Sequence, residues 1–255
     1  MDLARRARVG GLGLTGVATV VVAWILLRTV TTGLAESLPA PWAVAARLPD
    51  LLGDTAFLTG LGDTMTAWVL TMLVASGLGV VIGLVAGVIP ALRGPVALAV
   101  DTFRSVPSTA LIPIAILLYG LGTPMKLAVA AYAIVWPILI NTTYGVLGVE
   151  PMRVDAARSM RLSWWRTQWH VTLPTALPSI LTGIRIASGT ALVVLISTEL
   201  LGARGGVGTV LVSYQQAGQS DVVLAGTLLI GALGVLLYSA LVRVERSLVK
   251  WAPVD

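Results

Sequence analysis

The sequence predicts an all-α integral membrane protein with six transmembrane helices, on three observations. Hydrophobic residues fill 56% of its 255 positions and charged residues only 11%. Soluble domains carry about 25% charged residues, so the excess apolar area has to face lipid. The apolar residues fall in six stretches near the roughly 20 residues that a bilayer-spanning helix needs. The cations then collect on alternate sides of those stretches.

The first stretch, Val9 to Leu27, lies uncharged between Arg8 and Arg28. It exceeds the usual 7–15-residue core of a signal peptide, and the nearest Ala-x-Ala-like site, Ala43-Val44-Ala45, is far downstream, so an uncleaved first helix is expected. From Thr29 to Asp63, prolines 39, 41 and 49 mark an outside loop with room for a short surface helix. The second span, Thr64 to Leu92, ends near Pro90 and carries Gly79-x3-Gly83-x3-Gly87 on one face. In lipid such a stripe permits close helix approach, within one chain or across a dimer.

Val96 to Tyr119 is the third span, with Asp101 and Arg104 near its start at a spacing that lets them pair. Leu127 to Val149 is the fourth and Pro178 to Thr198 the fifth, with Arg185 inside it. Placing that charge in a span costs roughly 2.5–3.5 kcal/mol. Two readings stand: a structural cation near the cytoplasmic end that snorkels or pairs with Asp101 or the cytoplasmic loop, or a pore residue that attracts an anion. Glu199 ends the fifth span, as a cap, a headgroup contact or a gate. Gly202, Gly205, Gly206 and Gly208 form an outside turn, and Val222 to Val242 is the sixth span.

With a cytoplasmic N-terminus, the inner segments hold Arg5, Arg6, Arg8, Arg93, Arg153, Arg158, Arg161, Arg166, Arg243, Arg246 and Lys250, against Arg28, Arg47, Lys126 and Arg204 outside. Eleven against four is a positive-inside bias that puts both termini and the 150–174 loop in the cytoplasm. The net charge of +5 follows this topology and forms no basic face for nucleic acid. With no cysteine and one histidine, His170, there is neither a thiolate site nor a zinc-type cluster. No Gly-x4-Gly-Lys-Ser/Thr phosphate loop occurs, so any ATP is held elsewhere.

The 150–174 loop carries the strongest motif: Asp155-Ala156-Ala157, then Arg161, then Val171-x-Leu173-Pro174. It resembles the "EAA" loop of ABC-importer permeases. Arg104-Ser105-Val106-Pro107, Pro113, Trp136-Pro137-Ile138, Asn141-Thr142, Ala176-Leu177-Pro178, Gly183-Ile184-Arg185-Ile186-Ala187, Glu199, Gly206-Val207-Gly208 and Arg243-x-Glu245-Arg246 recur in order, as in the branch serving nitrate, aliphatic sulfonates and taurine. Coverage runs over 64–251, a core of five spans with the loop, and leaves 1–63 as an N-terminal helix and outside loop.

The resemblance implies a type I importer permease in a bacterial inner membrane, not itself an enzyme. Its partners would be an ABC ATPase dimer holding ATP and Mg, an extracytoplasmic binding protein, a second permease copy and membrane lipid. Small alanines in the loop suit close docking, an acidic residue complements a helix N-terminus, and Leu173-Pro174 sets the entry into the next helix. Asp155, Ala156, Ala157, Arg161, Leu173 and Pro174 are thus the expected ATPase-coupling residues, with Trp164, Trp165 and Trp169 as anchors against the partner or the headgroups. Arg104, Ser105, Pro107, Asn141, Arg185 and Glu199 are the expected translocation-path residues. The family usually has Gly at the place of Arg161, so a reshaped turn or an Arg salt bridge to the ATPase is expected there. The substrate would be a small anion, or a thiamine- or riboflavin-related heterocycle. A secondary transporter without an ATPase is the rival class; it calls for mid-span carboxylates, which the sequence lacks outside the span ends.

Overall fold

The computed structural model describes residues 15–16, 18–29 and 38–249. Among them every regular element is helical. After a short apolar helix, α1 (Ala18–Thr29), come α2 (Pro41–Gly53), α3 (Thr55–Val88), α4 (Pro90–Phe103), α5 (Ile112–Tyr119) and α6 (Thr123–Leu147). They are followed by α7 (Pro151–Ser159), α8 (Trp164–Thr167), α9 (Leu173–Leu200), α10 (Val207–Gln216) and α11 (Ser220–Leu248). The first expected span, Val9 to Leu27, lies partly outside the described residues; its part within them is helical from Ala18.

Among the described residues four helices are long and apolar enough to cross a membrane: α3, the run from Trp164 to Leu200, α6 and α11. The third expected span is not one straight helix. Pro90–Phe103 and Ser108–Tyr119 meet at 78°, because Pro107 forces extended backbone before the 3-10 turn Ser108–Leu111. The expected outside loop is also mostly helix. Pro41 opens α2 at a first-turn position where its missing N–H costs nothing. Asp54 Oδ1 then accepts from the N–H groups of Ala56 (2.8 Å) and Phe57 (3.4 Å), which starts α3 at Thr55 rather than Thr64. An N-terminal side-chain cap of this kind is a strong start signal.

The chain divides into two compact units. One comprises the chain through Leu58 with 210–231. Within it Arg47 donates to Asp221 at 2.7 Å, the Tyr214 hydroxyl donates to Asp54, and Leu211 and Phe57 pack against the bare Cα of Gly226.

The other unit, 59–209 with 232–255, holds the helical core. A Cβ on Gly79 would meet the Ile138 side chain at 2.9 Å, one on Gly83 would meet Thr142 at 2.6 Å, and one on Gly87 would meet Val146 at 2.6 Å. Both series rise in steps of four, so α3 runs parallel to α6 with glycines seated on α6 side chains. The glycine stripe therefore serves a contact inside one chain. On its other side α6 meets α9 antiparallel, with Gly145 against Ser179 and Gly183 against Asn141. Ile134, Ile138, Ala187 and Ala191 fill the interior at this crossing.

Candidate functional site

The motif-bearing loop folds as a helical hairpin, α7 then α8, continued by a π turn at Gln168–Thr172 that feeds α9. Pro151 opens α7. Its end is fixed by two backbone bonds, Leu162 N–H to the Ala157 carbonyl (3.1 Å) and Arg161 N–H to the Arg158 carbonyl (2.8 Å). That six-to-one and five-to-two pair is the Schellman arrangement, with a left-handed residue just past the cap. Arg161 occupies the left-handed position at φ 56, the one non-glycine residue with positive φ among those described. The expected reshaping of the turn does not occur: the hydrogen bonds hold arginine in a conformation that costs about 1–2 kcal/mol for a residue with a Cβ.

The hairpin's expected coupling residues do not share one environment. Asp155 and Ala156 are exposed, whereas Ala157 is 3% exposed and turned into the subunit. Leu173 and Pro174 are half-buried at the start of α9. The outward face of α7 instead presents Met152, Asp155, Ala156 and Ser159, spaced i, i+3, i+4 and i+7, with Met160 at its end 75% exposed. Met152 and Met160 escaped sequence reasoning, because methionine has no motif; the signal was their period with the Asp-Ala pair. Trp164 and Trp165 meet edge to face at 4.6 Å and, like Trp169, stay exposed. His170 faces its own helix, with Nδ1 3.0 Å from the Arg166 carbonyl.

The expected path residues fall into three settings. Arg104, Ser105 and Pro107 lie exposed at the break between α4 and the 3-10 turn. Arg104 pairs with Asp101 at 3.4 Å, and Ser105 donates to the Asp101 carbonyl at 2.7 Å. The break is pinned to α6 by aromatics: Phe103 stacks on Trp136 at 6.2 Å, and the Tyr132 hydroxyl donates to the Phe103 carbonyl. Asn141 donates to the Pro137 carbonyl at 2.8 Å and sits where Gly183 brings α9 close.

Arg185 does not pair with Asp101 or a loop. Its guanidinium reaches Glu245 of α11 at 3.2 Å and lies over the Tyr238 ring, 5.7 Å from the centroid. The placement pairs the charge within the chain, between α9 and α11. Partner charge and ring quadrupole together offset the cost of a charge taken out of water. Sequence reasoning singled out Glu245 in a motif but not as the partner of Arg185, because α11 continues to Leu248, beyond the expected end at Val242.

Glu199 is buried, and its carboxylate caps the first turn of α10 at the Gly208 N–H. It is 1% exposed, with its carboxylate 2.9 Å from the Lys126 ammonium. Thr64 Oγ1 lies 2.9 Å from both carboxylate oxygens, and the Gly208 N–H donates at 3.0 Å. Lys126 also donates to the Gly205 carbonyl at 3.2 Å. The glycine-rich turn wraps this group: at Gly206 (φ 108) a Cβ would lie 2.1 Å from the carboxylate. A buried charge pair is retained only where its remaining valences are met, and four elements converge here to meet them.

Lipid-length helices, charged side chains paired within the chain and a capped helical hairpin describe a helical membrane protein with an exposed hairpin between two of its long helices. Residues 79–250 match the family described as binding-protein-dependent transport system inner membrane component, and the chain belongs to that family. It is 32% identical over 219 residues to the taurine transport system permease protein TauC of Escherichia coli (strain K12), covering 84% of this chain and 80% of the relative. It is 30% identical over 239 residues, 94% and 87% of the two chains, to the putative aliphatic sulfonates transport permease protein SsuC of Bacillus subtilis (strain 168). Against the bicarbonate transport system permease protein CmpB of Synechococcus elongatus the identity is 34% over 166 residues, 64% and 59% of the chains. In fold, the chain is similar to a subunit of the inward-facing MetNI methionine ABC transporter, with a TM-score of 0.68 at 22% identity over 76% of this chain and 96% of the other. The family is the permease component of binding-protein-dependent transporters, set in the inner membrane.

Proposed function

We propose that the chain is the transmembrane subunit of an ATP-driven ABC importer for a small oxyanion of the sulfonate or bicarbonate kind. The family match over residues 79–250 carries this reading. The substrate class is supported by relatives named for taurine, aliphatic sulfonates and bicarbonate. Two copies enclose the path, both termini face the cytoplasm, and an external binding protein delivers the anion to the outer mouth. ATP and Mg sit in a separate ATPase dimer, which grips the α7–α8 hairpin on its Met152–Asp155–Ala156–Ser159 face. Closure of the ATPases moves the hairpin. Because the π turn runs straight into α9, that motion passes into the bundle and switches the open side. The exposed break at Arg104–Pro107 supports a gating position, since extended backbone can reorient there without melting a straight helix.

The test is uptake into proteoliposomes holding the permease, its co-purified ATPase and the cognate binding protein, with labelled taurine, an alkanesulfonate and bicarbonate. Uptake of one of them that needs ATP is expected. Uptake without ATP would establish a secondary transporter. ATP-dependent uptake of a thiamine- or riboflavin-related compound alone would keep the machinery and overturn the substrate class.

A further inference from the structure

Two cavities beside the hairpin share walls. One, of about 470 Å³, is lined by Arg93 at the start of α4 and Arg158 on α7, with Gln168 and Thr172 of the π turn. The other, of about 250 Å³, is an apolar groove between α3, at Val85 and Val88, and Trp165 and Trp169. Val88, Trp164, Gln168 and Thr172 border both, so the two lie side by side, one with arginines in its lining and the other apolar. No carboxylate lines either cavity. Arg93 is held over its cavity by one bond to the Gly87 carbonyl, at 2.8 Å. Arg158 is 3.3 Å from Asp155, but that pair is exposed and weak. Each guanidinium carries five N–H donors, so both retain capacity for an anion.

We propose that this trough binds one anionic phospholipid, its phosphate between Arg93 and Arg158 and one acyl chain along α3 under Trp165 and Trp169. The occupant follows from charge complementarity: an amphiphile with a negative head and a hydrocarbon tail matches both cavities at once. A purely apolar chain leaves the arginines unmatched, and a free anion leaves the groove open. Tryptophan favours the headgroup level, and basic pockets between membrane helices on the cytoplasmic side suit anionic heads. The proposal rests on the orientation proposed above only for the choice of leaflet. Its consequence is mechanical: a seated lipid braces the hairpin against the end of α3.

Full-length permease, delipidated in neutral detergent, is titrated with phosphatidylglycerol and followed by native mass spectrometry, with phosphatidylcholine as the zwitterionic comparison. Wild type is expected to retain a phosphatidylglycerol adduct in preference to phosphatidylcholine. R93Q/R158Q should weaken it roughly tenfold or more, while R153Q/R166Q, which removes the same charge from the hairpin outside the trough, leaves it unchanged. Equal loss in both double variants, or no preference for the anionic lipid, overturns the proposal. So does displacement of the adduct by the ATPase, which would assign the trough to a protein interface. If R93Q/R158Q fails to fold, wild-type tryptophan quenching by brominated-chain lipids decides, with equal quenching by both lipid classes overturning the site. None of these readouts involves transport, so the importer reading stands or falls separately.

Discussion

The ammonium of Lys126 and the carboxylate of Glu199 lie 2.9 Å apart with both side chains closed to solvent, tying the first turn of α6 to the last turn of α9. Removing one partner strands the other as a buried charge, which typically costs about 3–5 kcal/mol. K126M and E199A are therefore each expected to lower the thermal midpoint in detergent sharply. K126M/E199A should lose clearly less than the sum of the two, as coupled sites do. Additive losses would show that the pair is not coupled.

Arg161 spends backbone energy to hold the end of α7. R161G keeps the two Schellman bonds and removes the Cβ that makes φ 56 costly. The variant is expected to be more stable by about 1 kcal/mol, with ATPase co-purification preserved. A loss of ATPase with unchanged stability would show instead that the arginine side chain is a docking contact.

Neighbouring alanines in the hairpin should behave oppositely. Ala156 is exposed and Ala157 is buried. A156E is expected to insert and melt like wild type yet fail to pull down the ATPase. A157E buries an unpaired carboxylate and should destabilise the permease itself. If A156E retained the ATPase at wild-type yield, the α7 face would not be the docking surface.

The seat of α3 on α6 leaves no room for side chains at the glycines. G83A places a Cβ 2.6 Å from the Thr142 Cβ and 2.8 Å from the Leu139 carbonyl. Forcing volume into such a contact typically costs 1–3 kcal/mol. Circular dichroism melts of G83A and of G77A, where a Cβ meets nothing within 4 Å, should separate: a drop for the first and little change for the second.

Tyr214 and Asp54 form a pH-sensitive pair in the unit containing α2. Burial first, and then the hydrogen bond to Asp54, push the Tyr214 phenol up to about 12; the same bond lowers Asp54 below its ordinary 3.8. The raised phenol contributes stability that is present below pH 10 and lost as pH rises through about 12. The lowered carboxyl contributes stability present above 3.8 and lost as pH falls through its depressed value. The difference between the phenolate absorbance titrations of wild type and Y214F should centre near 12, and D54N should move it down. A difference centred at 10 would mean the contact is not kept in solution.

Much of the fold was legible because lipid imposes simple rules. Span length and uncharged runs located α6, α9 and α11 to within several residues, and α3 except for its start, which lies at Thr55 rather than Thr64. The break at Pro107 was less visible, since the apolar run from Val96 to Tyr119 satisfies the length rule and only the proline signals a bend. In the site, the order of the Asp155–Pro174 motif was readable, but the direction each side chain faces was not. Ala156 and Ala157 are chemically alike, and only the phase of α7 against the bundle sends one outward and the other in.

Sequence alone determined a helical membrane protein with a polar loop between spans, because hydropathy and charge act residue by residue; the permease class came from the resemblance of that loop's motif. Tertiary structure decided the partners of its buried charges. Glu199 found Lys126 across 73 positions, and Arg185 found Glu245 across 60 (245 − 185). Each charge had to be paired once it left water, but which one it would meet depended on how the helices pack.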